Sequence, residues 1–140
     1  MRQRNDLPDF VLVDDDAVDR EVIRRALRQL GADNAIIEAE DGEEALQKLE
    51  DALEQESNRA YVVILDLNMP RMNGFEFLER IRADERFRRL PVFVLTTSKS
   101  RIDKEKAYDR SISGYIVKSR GILDAIKMID QYQKVIEFPQ

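Results

Sequence analysis

Five short apolar runs, rich in β-branched residues, recur along the chain with a helix-period stretch after each. They are Phe10-Val11-Leu12-Val13, Ala35-Ile36-Ile37-Glu38-Ala39, Tyr61-Val62-Val63-Ile64-Leu65, Val92-Phe93-Val94-Leu95 and Gly114-Tyr115-Ile116-Val117. Runs of this length and composition read as strands, and the third, with no charged residue in it, as one buried on both faces. Strand and helix alternating without repeats or linkers imply a parallel sheet with helices on both faces. Right-handed crossovers leave few topologies, and five such strands most often take the order 2-1-3-4-5. The expected fold is α/β, a five-stranded parallel sheet in that order. The chain should form a single domain over residues 8–132, with 133–140 extending the last helix.

The intervening stretches carry helix signals. From Asp16 a stripe of Val18, Val22, Ile23, Ala26, Leu27 and Leu30 runs to Gly31, a glycine placed to terminate a helix. Asp41, with Glu44 three residues on, opens a second helix that buries Ala45, Leu46, Leu49, Ala52 and Leu53. The polar stretch 54–59 reads as a loop. A third helix starts near Asn73 with Phe75, Leu78 and Ile81 inward. The arginines at 80, 82, 86, 88 and 89 are interleaved with acids and read as a solvated helix face. A fourth helix, about 102–110, has few apolar residues (Ile102, Ala107, Tyr108) and should be weakly held. The last runs from Ile122 to at least Ile136.

Charge and composition exclude several functions. A net charge of −5 argues against nucleic acid as the main partner. With no Cys and no His, the chain has no thiolate or imidazole to ligate a metal, act as a base or donate a phosphoryl group. No apolar run reaches membrane length and the N-terminus has no apolar signal core, so a cytoplasmic location is expected.

The strand ends carry the chemistry. In the order 2-1-3-4-5 the ligand crevice lies between strands one and three. Those strands run into Asp14-Asp15 and into Asp66. Carboxylates crowded at one rim repel unless a cation sits among them, and oxygen ligands alone select a hard ion such as Mg²⁺. The fourth strand adds a hydroxyl, Thr96, and the fifth an ammonium, Lys118. A carboxylate nucleophile, a hard cation, a hydroxyl and a lysine suit phosphoryl transfer to Asp66. Taken singly, each residue is equally well an ordinary strand terminator; the joint pattern at one sheet edge favours the site.

Val13-Asp14-Asp15, Leu65-Asp66-Leu67-Asn68-Met69-Pro70-Arg71-Met72-Asn73-Gly74, Val94-Leu95-Thr96-Thr97 and Gly114-Tyr115-Ile116-Val117-Lys118 resemble the receiver domains of two-component response regulators. The resemblance implies a flavodoxin-like receiver fold and Asp66 as the phosphoacceptor, phosphorylated by a sensor histidine kinase. It implies Asp15 and Asp66 as direct Mg²⁺ ligands, Asp14 through water, and the carbonyl of Asn68 as another ligand. It also implies Thr96 and Tyr115 as a switch pair and Lys118 as the phosphate-contacting lysine; Asn68 and Ser98 would tune hydrolysis. From residue chemistry alone, Tyr115 suits edge packing as well as switching. Where the family usually carries proline after the lysine, this chain has Ser119, which leaves a trans peptide or a costly cis one. Lys118-Ser119 with Gly114-Tyr115-Ile116 is most similar to receivers paired with bacterial phytochrome kinases.

In the last helix Ile122, Ala125, Ile126, Met128, Ile129, Tyr132, Val135 and Ile136 cover about half the cylinder, against the ~100° stripe that one-sided packing needs. A deeply set helix explains this, as does a second apolar surface extended by Phe138-Pro139. The expected use of that surface, with Met128, Tyr132, Val135 and Ile136, is a homodimer through the fourth helix, fifth strand and last helix. Three other functions compete. Phe10 to Val18 also fits the D-x-D-x-V strand of haloacid-dehalogenase-like phosphatases, with Asp14 as nucleophile, but leaves Asp66-Leu67-Asn68-Met69-Pro70 unexplained. A DNA-binding regulator would need an output domain, for which the chain has no room after its last helix. A passive interaction module would leave the acid cluster without a use.

Overall fold

The computed structural model describes residues 7–32, 34–56 and 59–136. Five strands and five helices alternate: β1 (Asp9–Val13), α1 (Ala17–Gln29), β2 (Ile36–Ala39), α2 (Gly42–Gln55), β3 (Tyr61–Leu65), α3 (Gly74–Arg82), β4 (Val92–Thr96), α4 (Arg101–Tyr108), β5 (Gly114–Val117) and α5 (Ile122–Val135). All strand pairs are parallel and the order is β2-β1-β3-β4-β5, as expected from the alternation. The register aligns Val13 with Leu65, and Leu65 with Val94. The residues that follow, Asp14 and Asp66, therefore emerge side by side at the carboxyl rim.

Because successive strand residues point to opposite faces, the sheet divides the core into two clusters. Val11, Val13, Val63, Leu65, Val92 and Val94 pack under α2, α3 and α4. Phe10, Leu12, Val62, Ile64, Phe93 and Leu95 pack under α1 and α5. Every residue of β3 and β4 is buried, so both faces of the sheet centre are dry.

Helix starts follow the capping chemistry of the sequence. Asp16 accepts hydrogen bonds from the N–H groups of Val18 and Asp19, Asp41 from that of Glu44, and Ser100 from that of Asp103. Asn73 and Glu76 form a reciprocal capping box. Gly31 takes φ +81° just past α1, the left-handed conformation its position calls for.

Several sequence expectations are corrected. Val18 and Val22 are exposed, so α1 buries only Ile23, Ala26 and Leu27, with Leu30 half-buried. In α3 the buried aromatic is Phe77, whereas Phe75 is half-buried beneath the Lys106 ammonium. Leu78 and Ile81 are buried as expected, Phe75 packs against the edge of the same core, and Phe77 joins them at its centre. Helix α2 continues through Gln55, which shortens the loop that follows.

Of the arginines, Arg80 is exposed on α3 as expected, whereas Arg86, Arg88 and Arg89 lie in the turns after it and not on a helix face. Arg82 is half-buried and gives its guanidinium to the carbonyls of Arg88, Leu90, Arg110 and Ser111, binding the turn before β4 to the end of α4. In α4 only Ala107 is buried, while Ile102 and Tyr108 are exposed, as the sparse apolar pattern predicts. Helix α5 ends at Val135, and Ile136 is already extended. Tyr132 packs edge-on against Phe93, with ring centroids 4.9 Å apart, so it belongs to the core contact rather than to an outer face. Phe138 and Pro139 lie outside the described residues. No helix among the described residues is long and apolar enough to cross a membrane.

Candidate functional site

Four strand ends meet at the carboxyl rim. Asp14 follows β1, Asp66 follows β3, Thr96 closes β4 and Lys118 follows β5. The sheet hydrogen bonds fix the acids: the N–H of Asp66 donates to the carbonyl of Val13 at 2.8 Å, and that of Asp14 to Ala39 at 3.1 Å. Arg20, on α1, holds the same corner by donating to the carbonyl of Asp14 at 2.5 Å and to the carboxylate of Glu38 at 3.2 Å.

Carboxylate oxygens of Asp14, Asp15 and Asp66 lie within 4.8 Å of one another. Asp14 and Asp66 are buried and Asp15 is exposed. The Lys118 ammonium donates to Asp14 Oδ2 and to Asp19 Oδ2, each at 2.7 Å, and stands 3.8 Å from Asp66 Oδ2. Asp14 Oδ1 accepts the N–H of Asp16 at 2.9 Å, so both oxygens of Asp14 are engaged. Asp66 differs: its Oδ1 is buried without a hydrogen-bond partner among the described residues. A buried acceptor left unpaired costs roughly 1–3 kcal/mol, and more when charged.

Burial pushes the carboxyls of both Asp14 and Asp66 above their ordinary value, against the opposing pull of Lys118. Burial also disfavours the charge on Lys118, but the Asp14 and Asp19 carboxylates outweigh it and hold the lysine well above its usual range. The carboxylates of Asp14, Asp19 and Asp66 thus face one ammonium, and that of Asp15 lies beside Asp14 and Asp66. An oxygen-only cluster with excess negative charge and one unpartnered buried oxygen fits a divalent metal. Asp14, Asp15 and Asp66 are the residues placed to hold it.

The loop after Asp66 folds back on itself. The N–H of Gly74 donates to the carbonyl of Leu67 at 2.9 Å. A Cβ on Gly74 would stand 2.6 Å from the Asp66 carbonyl oxygen, so only glycine permits this approach. Met69 and Met72 are buried, while Asn68, between the site and Met69, is exposed. On the other side, the Tyr115 hydroxyl donates to the carbonyl of Ser98 at 3.0 Å, and Ser98 Oγ reaches Asp103 at 2.7 Å. Tyr115 is half-buried and also packs on the core cluster beneath α2, α3 and α4. The peptide after Lys118 is trans, since the described residues contain no cis bond, and Lys118–Arg120 forms a short 3-10 turn.

Asp14, Asp15, Asp66 and Lys118 are brought into one cluster, with Thr96 on the adjoining strand end. The outer-face residues of α5 divide: Met128 and Val135 are exposed, whereas Tyr132 packs inward. Asp19 was not anticipated. Its signal was present in the sequence, as an acid in the first turn of a helix that starts at the rim.

The occupancy of its oxygens speaks against Asp14 as a phosphatase nucleophile. The chain also matches the family described as response regulator receiver domain over residues 10–130. It is 33% identical over 121 residues to the response regulator Rcp1 of Synechocystis, covering 86% of this chain and 82% of Rcp1. Among solved structures, a phosphorylated cyanobacterial phytochrome response regulator, RcpA, is similar with a TM-score of 0.78 at 28% identity, covering 96% of this chain and 99% of that one. The Mn²⁺-bound form of Rcp1 is similar with a TM-score of 0.73 at 27% identity, covering 95% and 100%. Family match, sheet order and rim chemistry agree, and the chain belongs to the receiver domains of two-component response regulators.

Proposed function

We propose that this chain accepts a phosphoryl group on Asp66 from the phosphohistidine of a sensor histidine kinase, in a Mg²⁺-dependent reaction, and signals through its α4-β5-α5 surface. The observation that carries the reading is the buried, unpartnered Oδ1 of Asp66 beside the Asp14–Asp15 carboxylates and Lys118. Among the rim acids, Asp66 keeps an oxygen in reserve.

In the transfer, an Asp66 oxygen forms the new O–P bond as the P–N bond to the donor imidazole breaks, and the electron pair stays on that nitrogen. Asp15 and Asp66, with the carbonyl of Asn68 and with Asp14 beside them, would hold the metal, whose charge would offset that on the phosphoryl oxygens. Lys118 supplies a second positive charge to the same oxygens, and Thr96 offers a hydroxyl to one of them. Hydrolysis later breaks the O–P bond by attack of water and regenerates the carboxylate. Thr96 moves toward the phosphoryl group, and Tyr115, held here at Ser98 on the β4–α4 connection, follows it.

Phytochrome-associated relatives support a bacteriophytochrome as the kinase, and a cytoplasmic site of action goes with that partner. The exposed apolar side chains on α5 and α4 support a homodimer across that face, and we assign the receiver unit to residues 8–132.

Intact-protein mass after incubation with Mg²⁺ and a small phosphodonor tests the chemistry. One phosphoryl adduct is expected in the wild type, absent without Mg²⁺ and absent in Asp66→Asn. An adduct that survives Asp66→Asn but vanishes in Asp14→Asn would reverse the assignment.

A further inference from the structure

The Asp41 carboxylate is buried at the N-terminus of α2, and the guanidinium of Arg71, from the loop after Asp66, pairs with it. Asp41 is fixed from its own side, since its Oδ1 accepts the N–H of Glu44 at 2.9 Å. The same junction grips the loop a second time, through the N–H of Gly42 donating to the carbonyl of Met72 at 3.1 Å. A Cβ on Gly42 would stand 2.7 Å from the Met72 side chain, so the two segments are in close contact. Arg71 adopts φ +60°, a left-handed conformation that a residue with a Cβ does not take without restraint.

None of these groups belongs to the acid cluster, and α2 supplies it with no side chain. What lies between is the short segment 67–70. It is closed at its base by Gly74 on Leu67 and held at its far end by α2. An exposed loop that must present a backbone carbonyl in one orientation needs both ends fixed, and Asn68 lies midway.

We propose that Asp41 and Arg71 are positioning residues for the divalent-metal site: their ion pair holds the loop so that the backbone at Asn68 faces the Asp14–Asp15–Asp66 cluster. This rests on the reading of that cluster as a metal site. The guanidinium restrains the loop and touches none of the reacting atoms.

The test uses the full chain with Asp41→Asn, Arg71→Gly and Arg71→Lys. Asn retains the helix cap and removes the charge. Gly removes the arm and relieves the left-handed backbone, so its thermal stability is expected at or above wild type. Lys keeps the charge. Mg²⁺ affinity by titration calorimetry and, without metal, amide exchange across residues 67–73 are the readouts.

Asp41→Asn and Arg71→Gly should each weaken Mg²⁺ binding about tenfold and speed exchange in that segment, with Arg71→Lys recovering part of both. Together the first two should cost little more than either alone, because they remove one interaction. Wild-type Mg²⁺ affinity and exchange in both variants, whatever their melting temperatures, would overturn the positioning role. A wild type that binds no Mg²⁺ at all would instead bring down the reading of the cluster, and this proposal with it.

Discussion

Asp66 and Asp14 carry their charges against burial, which places both carboxyls above the ordinary value of 3.8. A carboxyl raised in this way contributes stability that is full below 3.8 and is lost as pH rises through its folded value. At neutral pH the ionised pair is therefore a cost to the fold. Asp66→Asn should raise the melting temperature at pH 7 in metal-free buffer by a few degrees, and the gain should shrink as pH falls toward 3.8. A melting series against pH decides it: a gain that does not vary with pH would mean that repacking, not charge, is responsible. Residues of this kind were legible in the sequence because strand ends in a known order must meet. Asp19 and the Asp41–Arg71 pair were not, since each depends on where a helix's first turn or a loop lands. No strand pattern encodes that.

At the scale of the element, the two phenylalanines of α3 separate clearly. Phe77 is fully buried between α3 and the sheet, whereas Phe75 lies half-buried under Lys106 and Arg110. Phe77→Ala should cost about 3–5 kcal/mol by denaturant unfolding, and Phe75→Ala much less. Equal losses would mean that Phe75 carries core packing not apparent from its exposure. Strand existence and helix starts were readable from runs and caps. The facing of α1 and α3 was less so, because Val18 and Phe75 satisfy an approximate helical stripe while lying off its centre. Exposure at the helix end decides such cases, and a period does not report it.

For the whole molecule, the proposed homodimer draws on Met128 and Val135 on α5 and on Ile102 and Tyr108 on α4, all exposed. Exposed apolar side chains on the helices that flank the sheet supply material for an interaction surface. Light scattering at micromolar concentration should give a dimer mass on phosphorylation, and Val135→Glu should return it to a monomer without lowering the melting temperature. A monomer with and without the phosphoryl group would remove the dimer from the proposal. The sheet order followed from alternation, crossover handedness and the commonest arrangement of five such strands, whereas association depends on how α5 is rotated on the sheet. Its edge-on contact between Tyr132 and Phe93 spans two distant segments that local patterning does not connect.

The parity of β4 has a directional consequence. Thr96 shares its side of the sheet with Val92 and Val94, and Tyr115 pairs with Val94 on that same side. The proposed displacement of Thr96 would therefore press into the half of the protein roofed by α2, α3 and α4. The half roofed by α1 and α5 lies across the sheet from it, and its contact with the rim is Lys118, whose ammonium is tied to Asp19 on α1. On the proposed switch, the sheet would act as a partition with two separate outlets: one mechanical, through a packed aromatic, and one electrostatic, through a shared proton donor.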